Sequence, residues 1–397
     1  MCAIVGVINS KDAAKTAYYG LFSMQHRGQE ASGISSSYNQ QIKTIKNRGL
    51  VTEVFNSDSF EILQGQMAIG HNRYSTAGSD SVLDAQPVSA KYSLGEISIV
   101  HNGNLINKYE VRERLIEDGA IFQSNMDTEN ILHLIAKSKR ENLQDRIIEA
   151  LGQIVGAYCL LILSRSKMFV VRDPYGVRPL SIGRLKDGGY IVASESCAFD
   201  LVGATFVRDV APGEMIVFEE GKSSFKSIDL FEARDPRICA FEYIYFARPD
   251  SVIDGKNVYE IRKKLGEIVF SNKKSKETLE RILHPKIKEE ILKQAKALES
   301  KKIPYFLDIP LFYETNNYPF KEVLLVFVPK EIQVQRIQKR DHLESQAIQT
   351  RISSQISLEE KKKLANYIID NSGDLENLQK EVEKYLQDYI PKVLEEN

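Results

Sequence analysis

Cys2 directly follows the initiator Met1 in this 397-residue chain. Once Met1 is removed, a thiol and a free α-amino group share one residue, so a nucleophile and a base stand side by side. The amine titrates at about 7.7–8.0 and a thiol at about 8.5, so the amine accepts the thiol proton near neutral pH without an imidazole. Further residues could complete an amide-cleaving set. His101-Asn102-Gly103-Asn104-Leu105 follows the apolar run Ile97 to Val100 and is expected at a strand end. There the Asn102 amide and the Gly103 backbone N–H can converge on an oxyanion, each preorganised donor contributing about 2.7–4 kcal/mol. Asn-Gly alone also reads as a hairpin turn. Arg73, within Gly70-His71-Asn72-Arg73-Tyr74-Ser75-Thr76, offers a planar fork for a substrate carboxylate, or a surface ion pair. Asp127, opening a helix after Ser124-Asn125-Met126, suits a substrate ammonium or serves as an N-cap. His26-Arg27-Gly28 either braces the Cys2 terminus or ends a helix with Gly28 as its stop.

The elements that must hold these residues are legible in outline. Cys2 to Val7 reads as a buried strand, and β-rich runs recur at Glu96 to Val100, Tyr158 to Ser164, Met168 to Arg172, Tyr190 to Ser194 and Glu214 to Phe218. Amphipathic stretches at Ala13 to His26 and Asp127 to Ser138 read as helices packing on those strands. Of the 23 glycines, 21 precede residue 263. The 135 residues after that point carry 24 Lys and Arg with 22 Asp and Glu, a Gly-poor, charged composition that reads as helical. The expected domains are therefore residues 1–262 and 263–397.

Net charge is −1 with pI near 6.6, which excludes a general attraction to nucleic acid or an anionic membrane. The longest apolar run, near Ala157 to Leu163, is far short of the roughly 20 residues of a membrane span. The start has no secretory pattern and the four cysteines are too sparse for a disulfide scaffold, so a cytoplasmic protein is expected.

At Cys2, Arg73 and Asn102-Gly103 the sequence resembles the class-II glutamine amidotransferases, and the match runs from Cys2 to about Gly266. It includes Arg172-Asp173-Pro174-Tyr175-Gly176-Val177-Arg178-Pro179-Leu180, Ala193-Ser194-Glu195-Ser196 and Ala211-Pro212-Gly213-Glu214. Phe241-Glu242-Tyr243-Ile244-Tyr245-Phe246-Ala247-Arg248-Pro249-Asp250-Ser251 narrows the resemblance to the amidophosphoribosyltransferase family, which opens purine synthesis. Ala3 stands where many relatives have Gly. The resemblance implies an α+β class: an N-terminal-nucleophile hydrolase domain of four αββα layers. It implies Cys2 as nucleophile with its own amine as base, and Asn102 and Gly103 as the oxyanion hole. Arg73, Asp127 and Arg27 are implied as substrate-binding residues, the first two gripping the α-carboxylate and α-amino group of glutamine. Attack would expel ammonia and leave a γ-glutamyl thioester for water to hydrolyse.

The tail from about Leu265 to Leu378 resembles the C-terminal part of dephospho-coenzyme A kinase. The matching pieces include Leu279 to Pro285, Asp308-Ile309-Pro310-Leu311-Phe312-Tyr313-Glu314-Thr315, Gln335 to Asp341, Arg351-Ile352-Ser353-Ser354-Gln355 and Ile369 to Gly373. That resemblance implies an incomplete α/β, P-loop-kinase-like, mostly helical tail, with Arg340 and Arg351 as nucleotide contacts or simply solvated helix faces. Such a kinase needs Gly-x-x-x-x-Gly-Lys-Ser/Thr, and Gly221-Lys222-Ser223 fails it because Ile216 stands five residues earlier. Nor do the apolar runs Ile303 to Leu307 and Val323 to Val328 lead into the paired-acid, Gly-rich loop of a phosphoribosyltransferase. The chain thus reads as a joint of two incomplete enzymes, seamed near Lys263 to Glu267, and the phosphoribosyl-transfer half is expected to be absent.

No cofactor is expected: magnesium would belong only to a complete transferase or kinase domain. An iron–sulfur cluster through Cys239 is not expected, since four thiolates are the usual requirement and Cys159 and Cys197 read as core. The expected partner is glutamine, without nucleic acid or membrane, and a homo-oligomer stays open. The competing functions are a dephospho-coenzyme A kinase and a non-catalytic glutamine-binding or interaction protein.

Overall fold

The computed structural model describes residues 2–74, 81–231, 234–300, 305–315, 318–341 and 344–395. It divides into two compact units, Met1–Lys264 and Leu265–Asn397, and the division falls within the helix Val258–Ser271.

The first unit is built on two antiparallel sheets. Seven strands run in the order Thr205–Asp209, Ser181–Arg184, Tyr190–Ala193, Ala3–Ile8, Met67–Arg73, Ala31–Tyr38, Gln41–Arg48. Six run in the order Lys226–Asp229, Glu214–Glu219, Lys167–Arg172, Gly156–Leu163, Gly95–Leu105, Val88–Tyr92. Ala3–Ile8 is buried along its whole length because it is central, paired with Met67–Arg73 on one side and Tyr190–Ala193 on the other. Alternation sends its side chains to opposite faces. Ala3, Val5 and Val7 join a core with Ala17 and Leu21 of the helix Ala13–Ser23, while Ile4 and Ile8 join Ile69, Val100, Leu161 and Val192 between the sheets. On the far face of the six-stranded sheet, Ile97, Ile99 and Leu105 pack against Ile131, Leu134 and Ile135 of the helix Asp127–Lys137. Three apolar layers between four structural layers give the αββα arrangement.

In the second unit, Leu324–Phe327 pairs in parallel with Tyr367–Asp370, and the crossover between them carries the helices Lys330–Asp341, Ser345–Ser353 and Leu358–Leu364. The long helices Lys273–Glu299 and Leu375–Glu395 supply most of the remainder. Among the described residues no helix is long and apolar enough to cross a membrane.

Candidate active site

The seven-stranded sheet brings Cys2 and Arg73 to one end. Ala3 faces Asn72 in the antiparallel register, so Cys2 stands beside Arg73, and its Sγ lies 4.0 Å from the Tyr74 carbonyl oxygen. Ile4 and Ile69 face the space between the sheets. By the two-residue period Cys2 and Arg73 project into that space as well. Desolvation pushes the Cys2 thiol above its usual value, opposed by the Tyr74 contact and by the Arg27 and Arg73 charges. The Arg73 guanidinium lies 3.9 Å from Asp84, whose carboxylate also accepts the Asn125 N–H. Ser75 and Thr76 of the Arg73 motif lie outside the described residues.

Asn102 approaches from the other sheet. His101 to Leu105 is the end of a strand, as expected, and not a turn. It lies within Gly95–Leu105, with Asn102 facing Cys159 and Gly103 facing Tyr158 in register. Pairing along the whole of Gly156–Leu163 overrides the turn preference of Asn-Gly. Val100 faces between the sheets, so Asn102 does too. Its Nδ2 is buried with no hydrogen-bond partner. An orphaned buried donor costs about 1–3 kcal/mol, and native folds keep few of them. Gly103 has no alternative: a Cβ there would sit 2.0 Å from the Ala157 carbonyl oxygen and 2.7 Å from His101 Nε2.

Asp127 lies on the opposite face of that strand. It is the first residue of its helix rather than the cap, which is Met126. Its Oδ1 meets His101 Nδ1 at 3.2 Å and its Oδ2 accepts the Leu105 N–H at 2.9 Å. Burial works against the charged carboxylate, but the His101 and Leu105 contacts prevail and hold it below the usual range.

Arg27 corrects its expected role. Its guanidinium is wholly buried, and its donors go to protein rather than toward a substrate: Nε to the Cys2 carbonyl at 3.1 Å, Nη1 to Glu195 at 2.5 Å, and both terminal nitrogens to Glu242 at 2.9 and 3.0 Å. It is a brace for Cys2, not a substrate contact. Gly28 does end the helical turn Gln25–Arg27 as its C-cap, its N–H donating to the Gln25 carbonyl, but not in left-handed backbone. Its φ of −169° is extended backbone, and glycine is required because a Cβ would lie 2.6 Å from the Arg73 carbonyl.

Two family models match the chain: "Glutamine amidotransferase domain" over residues 71–200 and "Dephospho-CoA kinase" over residues 241–377. Over its N-terminal 68% the chain is 45% identical to amidophosphoribosyltransferase 1, chloroplastic, of Arabidopsis thaliana and 44% identical to the amidophosphoribosyltransferase of Bacillus subtilis. It covers 47% and 56% of those proteins, so the chain spans about half the length of the curated relatives it matches. The solved glutamine phosphoribosylpyrophosphate amidotransferase of B. subtilis, complexed with ADP and GMP, is 42% identical with a TM-score of 0.65, over 68% of this chain and 58% of that one. The first unit is a glutamine amidotransferase domain of the amidophosphoribosyltransferase kind. Its two-sheet sandwich is accordingly that of the N-terminal-nucleophile hydrolases.

Where the kinase match reaches back to residue 241, side-chain contacts tie the segment to the amidotransferase unit. Glu242 binds Arg27 and Arg178, and Arg262 donates to the Tyr243 and Ala247 carbonyls. Cys239 is partly exposed just before this segment, its N–H donating to the Val177 carbonyl. Arg340 and Arg351 stand exposed on the neighbouring helices Lys330–Asp341 and Ser345–Ser353 of the kinase-like unit.

Glu195 and Glu242 lie in motifs that by themselves give neither residue a role. They meet Arg27 from 168 and 215 residues away, and no local pattern reports such a contact. His101 likewise shows in the sequence only as the neighbour of Asn102, although it orients Asp127.

Proposed function

We propose that the amidotransferase unit hydrolyses glutamine to glutamate and ammonia through a thioester on Cys2. The observation that carries this reading is the unpartnered, buried Asn102 Nδ2, set in the inter-sheet space that Cys2 and Arg73 also enter. The Cys2 α-amine, exposed once Met1 is removed, takes the thiol proton, and the sulfur attacks the side-chain carbonyl carbon of glutamine. The carbonyl electron pair moves to oxygen, where Asn102 Nδ2 and the Gly103 N–H receive the charge. Collapse breaks the carbon–nitrogen bond, the ammonium form of the Cys2 amine returns its proton to the leaving nitrogen, and water then cleaves the γ-glutamyl thioester. The Arg73 fork takes the α-carboxylate. The α-ammonium is assigned to the Asp127 carboxylate, which the His101 and Leu105 contacts keep ionised.

The relatives' full reaction transfers that nitrogen to a phosphoribosyl donor at the first committed step of purine synthesis. We assign this chain the glutaminase half alone, with ammonia released to water. Mass spectrometry of the intact protein together with glutamate release, with and without phosphoribosylpyrophosphate, tests both statements. Loss of Met1, release that is indifferent to the donor, and abolition by Cys2→Ala are expected. Release that persists in Cys2→Ala overturns the site, and release that rises with the donor overturns the restriction to one half-reaction.

The kinase-family match supports nucleotide binding by the second unit through Arg340 and Arg351, but the sequence offers no Gly-x-x-x-x-Gly-Lys-Ser/Thr for phosphoryl transfer. ATP titration by calorimetry reads this directly. Binding weakened by Arg340→Ala or Arg351→Ala supports it, and absence of binding refutes it.

A further inference from the structure

Glu242 lies wholly buried in the short helical turn Glu242–Phe246, far in sequence from the catalytic residues. Its two carboxylate oxygens take both terminal nitrogens of Arg27, the bidentate geometry in which an arginine–carboxylate pair is strongest and most directional. Arg178 adds a contact at 3.4 Å from Nη1 to Glu242 Oε1. On its other side the Arg27 guanidinium meets Glu195, and Nε points at the Cys2 carbonyl oxygen. Glu195 is fixed in turn by the Arg248 N–H at 2.9 Å, the Ser251 hydroxyl at 2.7 Å and His26 Nε2 at 2.9 Å. Every heteroatom of the guanidinium is therefore engaged, and its plane has one orientation.

That orientation matters because of where Nε points. The Cys2 carbonyl is bonded to the Cα that carries the thiol, and in the processed protein that same Cα carries the catalytic amine. A chain terminus is ordinarily poorly ordered unless it is tied down. Ala3 onward is held by the sheet, but Cys2 precedes the first paired strand residue. The Arg27 hydrogen bond is thus a tether on the residue that must place both sulfur and nitrogen.

We propose that Glu242 is a positioning residue for the amide-cleaving reaction, holding Arg27 so that its Nε fixes the Cys2 peptide and with it the thiol and amine. The proposal rests on Cys2 as the nucleophile. Glu242 touches neither substrate nor the reacting atoms and acts through Arg27. It couples the segment 241–251 to the nucleophile 240 residues earlier in the chain.

Glu242→Gln in the full chain removes one charge while keeping shape and one carbonyl acceptor. The control is Glu214→Gln, which breaks a second bidentate pair, with the partly exposed Arg208, that has no link to Cys2. Two readouts are needed: steady-state glutamate release, and the rate at which iodoacetamide alkylates Cys2, followed on the Cys2 peptide by mass spectrometry. A loosened Cys2 is more accessible, and loss of the Glu242 charge leaves Arg27 more able to favour the thiolate, so both effects accelerate alkylation. The expected result for Glu242→Gln is kcat at least tenfold lower, KM for glutamine within twofold, and Cys2 alkylation at least threefold faster, with Glu214→Gln close to wild type in all three. Arg27→Lys, which cannot span both Glu242 and the Cys2 carbonyl, should behave as Glu242→Gln or worse. Alkylation and kcat that change no more than in Glu214→Gln overturn the proposal. A wild-type chain that releases no glutamate overturns the glutamine reading instead, and the alkylation ratio then decides the tether by itself.

Discussion

Asn102 projects from the six-stranded sheet into the same inter-sheet space that Cys2 enters from the seven-stranded one, although Asn102 lies on Gly95–Leu105 and Cys2 immediately precedes Ala3–Ile8, two strands that never pair. Parity produces the meeting. Val100 and Ile4 face each other's sheets in one apolar layer, and two residues further along each strand the period-two alternation delivers Asn102 and Cys2 to that same face. Asn102→Ala therefore separates catalysis from folding. With its best-aimed donor gone, kcat for glutamate release should fall about 100- to 1000-fold, while KM moves little. The folding midpoint in urea should not fall, because the deleted donor was unsatisfied. A large loss of stability with a proportionate loss of kcat would contradict the assignment.

Gly28→Ala probes Arg73 from behind. The new methyl would lie 2.6 Å from the Arg73 carbonyl carbon and oxygen, so that backbone must give way. Since Arg73 is assigned to the substrate carboxylate, the variant should raise KM for glutamine tenfold or more, about 1.4 kcal/mol of binding, with a smaller effect on kcat. Equal KM in the folded variant would show that Arg73 does not touch the substrate.

Much of this was legible because it is local. The strand of Ala3–Ile8, the helix after Asp127 and the β-rich runs follow from apolar spacing, and each stands within a few residues of its expected bounds, except that Gly95–Leu105 runs on through His101 to Asn104. The strand end there is legible, and the alternative turn reading of Asn-Gly fails because Gly156–Leu163 supplies a partner along the full length, and pairing decides. The resemblance implies Arg27 as a substrate contact, and the buried acceptors that claim it instead come from distant segments that no local pattern reports. Gly28 does stop the turn Gln25–Arg27, but the reason it must be glycine, the backbone of another strand, is not local.

His71 gives a pH signature. It is fully buried on Met67–Arg73, its ring nitrogens make no well-formed hydrogen bond, and burial, reinforced by His101, lowers its pKa to about 3. The folded protein therefore binds this proton later than the unfolded chain does as pH falls. Stability is fully present above the ordinary histidine pKa of about 6.5 and is lost on acidification below it. Between about pH 7.5 and pH 5.5 the loss from this group is about 1.4 kcal/mol. Asp127 does not contribute there: its depressed pKa gives stability that disappears only below about pH 4. Urea titrations of wild type and His71→Leu at the two pH values should differ in their pH dependence by that amount, with the variant flatter. Equal slopes would mean His71 is not held neutral.

The second unit should be the weaker one. Parallel strands occur almost only in sheets covered on both faces, and two-stranded sheets are marginal by themselves. Among the described residues, Leu324–Phe327 and Tyr367–Asp370 form a two-stranded parallel sheet, and Val326 is 51% exposed. Each strand then keeps an unpaired edge, a template for association with other chains. The amidotransferase unit, by contrast, has three large apolar cores about its sheets and strands such as Gly156–Leu163 that are paired on both sides. Hydrogen exchange on the full chain should show amides of residues 324–327 and 367–370 opening with free energies on the order of 3 kcal/mol below those of residues 158–163. Urea unfolding should show two transitions, the first belonging to residues 265–397 and sensitive to protein concentration. A single cooperative transition with uniform protection across both units would mean that the exposed sheet is stabilised as fully as the sandwich core.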